Sequence, residues 1–260
     1  MDFSARYVAL GDSFTEGVGD PDPARPNGVR GWADRVAEQL GRDNDSFGYA
    51  NLAIRGRKLR QIIAEQVDAA VALQPTLVTI YAGANDIFRP KVDIDSLMED
   101  YDAGLAALRA TGAAVVLFTG FDSRSSKVFG TMRGRTAIYN ELVREIADRH
   151  GASLVDYWRF GEYHDWRMWD RDRMHMSTAG HINMANRVLD VLEHERLVPT
   201  ETEPGLAGGS TAVARAGRIA ALRENAQWVR EHAVPWVVRR VKGTSSGDGL
   251  SPRYPELTRL

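Results

Sequence analysis

The chain has 260 residues, 43% of them hydrophobic and 26% charged, with a formal net charge of -2. That content suits one α/β domain of ordinary size with some additional material, long enough to bury a sizeable core. The near-neutral balance argues against a general nucleic-acid binder; zero cysteines exclude a disulfide framework, thiolate catalysis and cysteine metal sites; and no run reaches the roughly 18 apolar residues of a membrane span. No apolar h-region precedes the first predicted strand, so the expected location is cytoplasmic.

Short β-rich runs alternate with helical patterns, the signature of a parallel sheet covered on both faces. Five strands are expected: Tyr7 to Leu10, Phe47 to Ala53 interrupted by Gly48, Thr76 to Ala82, Ala113 to Thr119, and Ser153 to Tyr157. The fourth is almost continuously apolar, as a strand buried on both faces should be. Between them, Trp32, Val36 and Leu40 recur at helical spacing and stop at Gly41. Leu59, Ile62, Ile63, Val67, Ala70 and Val71 continue that pattern as far as Pro75. Leu97 to Leu108 predicts another helix, and Ile138, Leu142 and Ile146 a fourth that ends before Gly151. A fifth carries Ile182, Ala185, Val188, Leu189 and Leu192, with Ser177 as its N-cap. The expected fold is therefore a flavodoxin-like three-layer α/β/α sandwich with a central parallel five-stranded sheet, spanning residues 1–198.

After Val198 the character changes. Pro199 to Gly209 reads as a linker. A basic helical pattern follows from about Val213 to Lys242, which Pro235 should kink or end. Residues 199–260 hold nine Lys or Arg against six Asp or Glu, and Gly243 to Asp248 is a Ser/Gly-rich stretch expected to be mobile. Trp228, Val229, Trp236, Val237 and Val238 beside Arg230, Arg239 and Arg240 suit either a peripheral membrane-surface helix or a partner face. Docking against the chain's own domain is the preferred reading.

Chemistry concentrates at the predicted strand ends. Gly11-Asp12-Ser13-Phe14-Thr15-Glu16-Gly17 follows the first strand, so the Ser13 hydroxyl and its backbone N–H face the crevice where open α/β sheets bind ligands. Gly56 follows the second strand, and Gly83-Ala84-Asn85-Asp86 the third. Asp172 and His175 lie three residues apart in a polar stretch between the fifth strand and a helix. A serine hydroxyl needs an imidazole to take its proton, and the imidazole needs a carboxylate to hold its tautomer. Of the six histidines, His175 alone combines such a place with a nearby preceding acid. His150, His194 and His232 fall in helical patterns and are expected to be solvated, while His164 and His181 stay open.

Taken together, these blocks resemble the SGNH or GDSL hydrolase superfamily in order and separation over about 170 residues. The resemblance implies Ser13 as nucleophile, His175 as general base and then general acid, and Asp172 as its orienting carboxylate. It also implies an oxyanion hole made of the Ser13 N–H, the Gly56 N–H and the Asn85 side-chain amide. The function it implies is a serine esterase or lipase-like enzyme acting on a small soluble, acetyl or lipid-like ester through an acyl-enzyme. Phe14 stands where the family's name has Leu, and Met176-Ser177 follows His175 where many members carry a proline-bearing turn.

Other readings of the same residues are an acyltransferase using the same triad, or a non-catalytic flavodoxin-like module whose first loop cradles a flavin phosphate. A phospho-acceptor domain built on Asp12 and Asp86 would want a lysine late in the sheet, and none lies between Lys127 and Lys242. No metal or cofactor is expected: Asp172, His175 and His181 can be drawn as ligands, but no HExxH helix is present. Tyr157, Trp158, Phe160, Tyr163, Trp166 and Trp169 precede the Asp172 loop and suit either an acyl or aromatic-alcohol pocket or core packing; of these Trp158, Phe160 and Trp166, with Arg89 beside the Asn85 block, are the candidate substrate-binding residues.

Overall fold

The five expected strands form at β1 (Ala5–Gly11), β2 (Phe47–Asn51), β3 (Leu77–Tyr81), β4 (Ala114–Phe118) and β5 (Ser153–Val155). They are seen in a computed structural model that describes residues 3–89, 91–126, 129–197, 230 and 244–260. All five pair in parallel, in the order β5-β4-β3-β1-β2. Successive residues face opposite sides of the sheet and both sides are apolar. Val8, Leu10, Val78, Ile80 and Leu117 enter one core, while Tyr7, Ala9, Tyr81, Val116 and Phe118 enter the other. Burial on both sides is why these strands read as continuous apolar runs.

The helices are α1 (Ser13–Glu16), α2 (Gly31–Gly41), α3 (Leu59–Ile62), α4 (Asp68–Ala72), α5 (Ala84–Ile87), α6 (Ile94–Arg109), α7 (Arg133–His150) and α8 (Thr178–Val191). On one side, Trp32 and Val36 of α2 pack with Met184, Val188 and Leu189 of α8. On the other, Leu59 and Ile62 meet Tyr101 and Leu105 of α6 and Tyr139 and Val143 of α7. The Ser177 cap is present, its Oγ accepting from Gly180 N at 3.3 Å. Among the described residues no helix is long and apolar enough to cross a membrane.

Two features depart from the expectation. The run from Leu59 to Ala72 is not one α-helix: a π-helical turn, Ile63–Val67, separates α3 from α4. The extra residue in that turn shifts the helical phase, and Gln66 is buried at 2% exposure. There Oε1 accepts from Gly11 N at 2.8 Å and Nε2 donates to Gly11 O at 2.9 Å.

The second departure is a sixth strand, β6 (Tyr254–Thr258), which runs antiparallel along the free edge of β2. The sheet is therefore mixed rather than wholly parallel. Pro255 is tolerated because the strand is at the edge, where one side of its backbone needs no ladder. Just before it, Arg253 is buried with Asp34 of α2, both side chains 0% exposed, at Nη2–Oδ2 2.6 Å. The helical pattern expected from Val213 to Lys242, Arg230 aside, lies outside the described residues.

The strand order reverses between β1 and β3, so the crevice beyond their carboxyl ends is the topological switch point. The loops after these two strands carry Ser13 and Asn85.

Candidate active site

At the end of β1 the chain turns sharply at Gly11, whose φ is +149. A Cβ there would lie 2.6 Å from Thr15 Oγ1 and 2.7 Å from Tyr81 O, so only glycine lets α1 fold back onto β3. Asp12 caps α1, its Oδ1 accepting from Phe14 N at 3.0 Å. Ser13 is the first residue of that helix, where the backbone N–H has no partner within the helix. Phe14 packs among Trp32, Tyr81, Phe118 and Tyr157, with the Tyr81 ring centroid 4.4 Å away. The phenyl ring thereby anchors the nucleophile's turn in the core.

Gly56 has φ +77, the left-handed region that favours glycine. Asn85, on α5, donates from Nδ2 to Asp12 Oδ2 at 2.9 Å and to Arg57 O at 3.1 Å. It thus bridges the neighbour of Ser13 and the neighbour of Gly56. Burial raises the Asp12 carboxyl to about 7, with the Phe14 N–H and the nearby His175 pulling the other way.

Asp172 and His175 sit on a small closed hairpin. Trp169 and Met176 form an antiparallel bridge, and Asp170 N donates to His175 O at 2.8 Å. At the apex Arg173 has φ +55, a conformation that costs a bulky residue some energy and here lets the chain reverse between the two side chains. Asp172 Oδ1 accepts from Met174 N and His175 N, each at 2.9 Å, while Oδ2 lies 2.5 Å from His175 Nδ1. Burial acts to raise the Asp172 carboxyl, but the imidazole and the two N–H groups outweigh it and the net direction is down. An ionised Asp172 holds the proton on Nδ1 and leaves Nε2 as the basic nitrogen.

Ser13, Gly56, Asn85, Asp172 and His175 all line one cavity of about 410 Å³. No hydrogen bond joins Ser13 Oγ to the imidazole in this structure; such contacts commonly tighten only when substrate is bound. Aromatic rings contribute to the lining, Phe121 packing against Tyr157 and Trp169 and Phe88 against Phe129, and Arg89 and Arg173 lie among them. Trp158, Phe160 and Trp166 are not in this lining. The Trp158 ring lies 5.2 Å beneath the Arg133 guanidinium, and Phe160 is covered by Arg187 at 4.8 Å. Trp166 lines a separate shallow hollow beside the site.

Several residues that shape the site carried no sequence signal. Glu16 is fully buried and takes Arg55 N at 2.6 Å and the Arg55 guanidinium at 2.6 Å, tying α1 to the Gly56 turn. Gln66 clamps Gly11, as described above. Thr244, Ser245 and Ser246, from the stretch expected to be mobile, contribute to the cavity wall. His181 accepts from Trp32 N at Nδ1 and donates to Val18 O from Nε2, each at 3.1 Å. Burial pushes its imidazole down to about 4, so it is a neutral structural bridge. His150, expected to be solvated, is half-buried and pairs with Asp102 at 2.8 Å. Among the described residues no group of three His, Asp or Glu side chains is placed to hold a metal ion.

The fold is that of an α/β hydrolase-like protein with a mostly parallel sheet flanked by helices. Residues 9–181 match the GDSL-like lipase/acylhydrolase family, so the chain belongs to that family and is a hydrolase acting on ester bonds. An acetylxylan esterase of Geobacillus stearothermophilus is 27% identical over 214 residues, covering 71% of this chain and 92% of that protein. The crystal structure of an acetylxylan esterase from the same organism superposes with a TM-score of 0.60 at 20% identity, over 76% of this chain and 99% of that one. An alpha/beta hydrolase enzyme from the metagenome of Lake Arreo, Spain, gives 0.61 at 23% identity, over 74% and 97%.

Proposed function

We propose that the protein is a serine esterase that forms an acyl-enzyme on Ser13. The observation that carries this reading is the Asp172–His175 pair, held on its own hairpin at 2.5 Å and facing the same cavity as the first residue of α1. Ser13 Oγ attacks the ester carbonyl as His175 Nε2 takes its proton, and Asp172 stabilises the imidazolium that results. The carbonyl oxygen, now an oxyanion, accepts from the Ser13 N–H, the Gly56 N–H and Asn85 Nδ2, whose two hydrogens are held by Asp12 and Arg57 O before substrate arrives, so one of those two bonds is exchanged for the bond to substrate. Asn85 already carries its amide beside both of the other donors. His175 then protonates the leaving alcohol, and a water deprotonated by the same nitrogen attacks the acyl carbonyl and frees Ser13.

The substrate we propose is a short acyl ester, an acetyl ester above all, of a small alcohol or sugar. Support comes from the modest cavity with aromatic rings in its lining, and from the acetylxylan esterase relative.

Intact-protein mass spectrometry after treatment with a serine-reactive phosphonofluoridate tests the reading. One adduct on Ser13 is expected in the wild type and none in Ser13→Ala or His175→Ala, with Ser13→Ala also devoid of turnover on p-nitrophenyl acetate. Wild-type turnover by a folded Ser13→Ala protein would sink the assignment.

A further inference from the structure

The family match ends at residue 181, yet a segment more than sixty residues further on closes over the Gly56 turn. Ser245 Oγ donates to Arg55 O at 3.2 Å and accepts from Gly247 N at 3.1 Å. The one hydroxyl proton is thus committed to Arg55 O. Asp248 accepts from Ser245 N at 2.7 Å and pairs with Arg57 at 3.4 Å. The approach is close enough to constrain both chains. A Cβ on Gly56 would lie 2.1 Å from Ser245 Oγ, and one on Gly247 would lie 2.1 Å from Arg55 O.

Arg55 C=O and Gly56 N–H belong to one planar peptide unit, so the direction of one fixes the direction of the other. That unit is the central peptide of a turn closed by Arg57 N donating to Ile54 O at 3.3 Å, and the turn alone does not fix which way the peptide faces, because glycine at 56 accepts many backbone conformations. Its two flanks are held instead. Glu16 binds Arg55 N at 2.6 Å on the side of α1, and Ser245 binds Arg55 O on the other. A hydrogen bond to the carbonyl also polarises the amide at the opposite end of the same peptide.

From this geometry we infer that residues 244–248 are part of the active site, and that Ser245 is a positioning residue that aims the Gly56 N–H at the oxyanion. The inference rests on the esterase reading above, and it assigns a catalytic consequence to a segment outside the matched region. Ser245 touches no reacting atom; it acts through the 55–56 peptide.

Three variants test it: Ser245→Ala, which deletes the hydroxyl, Ser245→Thr, which keeps it, and Arg259→Ala, at an exposed residue just after β6, as a control. Removing an oxyanion donor outright costs about 10²–10³ in kcat. Misaiming one should cost less, so Ser245→Ala is expected to lose roughly 10-fold to 100-fold in kcat, with KM on p-nitrophenyl acetate within about twofold. Its rate of phosphonylation at Ser13 should fall in parallel, because the phosphoryl oxygen occupies the same hole. Ser245→Thr should recover most of both rates, and Arg259→Ala should change neither. Unchanged kcat and labelling in Ser245→Ala, or a loss confined to KM, overturns the positioning role while leaving the esterase reading intact. A wild type that neither labels at Ser13 nor turns over overturns both.

Discussion

Replacing Arg253 with methionine should unfold the protein far more readily than any surface substitution, and the loss should depend on pH. The guanidinium makes two hydrogen bonds to Asp34, at 3.0 and 2.6 Å, and three to the carbonyls of Glu16, Arg30 and Pro26, at 2.9, 2.9 and 3.1 Å. Its removal leaves Asp34 buried with the Tyr49 hydroxyl, at 3.0 Å, as its remaining side-chain donor. Breaking one side of such a pair costs about 3–5 kcal/mol, which for a chain of this size lowers Tm by about 10 °C. Burial already raises the Asp34 carboxyl to about 6, with the guanidinium opposing a further rise. A raised carboxyl contributes stability that is full below its unfolded value and is lost as pH rises through the folded value. In Arg253→Met that value climbs further, so the gap from wild type should be smallest near pH 4, where the three unpaired carbonyls still contribute to it, and widen toward pH 8. Urea titrations across that range, with the double variant Asp34→Leu/Arg253→Met recovering much of the loss, are the assay. A gap below about 1 kcal/mol at pH 8, or one that ignores pH, refutes the reasoning.

Asn85→Ala should lower kcat by roughly 10²–10³ in steady-state assays, as expected when one oxyanion donor is lost; a change in KM alone would remove it from the hole. Asp172→Asn should cost about 10³–10⁴ in kcat with the fold retained, because an amide cannot hold the proton on Nδ1; circular dichroism and turnover together check this. His181, pushed down to about 4 by burial, contributes stability that is full above its unfolded value near 6.5 and is lost as pH falls toward 4. That amounts to about 3 kcal/mol. Asp12, raised to about 7, titrates in the same window with the opposite sign, so the effect is read as the difference between wild type and His181→Gln. A difference that stays constant from pH 7 to pH 4 would contradict it.

What was legible in the chain is what local pattern encodes. Ala-Val-Val-Leu-Phe is a strand because its last four residues are apolar and buried on alternate faces, and Ser177 and Gly151 mark helix ends by side chain and by left-handed backbone. The hairpin carrying Asp172 and His175 is equally local, since three residues suffice to bring both to one loop. What was not legible depends on partners distant in sequence. Tyr-Pro-Glu-Leu-Thr has no strand signal of its own, and it pairs because β2 offers an open edge. Glu16 and Arg55 look like two solvated charges until the fold buries one against the other. The aromatic run from Tyr157 to Trp169 passes through three short 3-10 turns. Neighbouring rings therefore point in different directions, and only Tyr157 and Trp169 of that run reach the cavity.

A buried ion pair is a costly way to attach an edge strand that apolar residues would hold as firmly. Its advantage here is direction. β6 contains a proline, and its register against β2 is irregular between Tyr49 and Asn51, so backbone pairing alone specifies its position weakly. The guanidinium accepts one orientation, defined by the Asp34 carboxylate, one carbonyl of α1 and two of the connection that leads into α2. From Asp34 the polar chain continues through the Tyr49 hydroxyl to Asn51 Nδ2 at 2.9 Å, which also donates to Thr15 O at 3.1 Å in α1. Arg253 itself reaches Glu16 O in the same helix. The latch that fixes the strand is thus referenced to the element that carries Ser13, and Ser245, eight residues before Arg253, reaches the Gly56 turn from a chain whose register is already set. Sliding β6 by one residue would withdraw Arg253 from every one of these partners at once, which is the physical reason the end of the chain and the start of it stay in step.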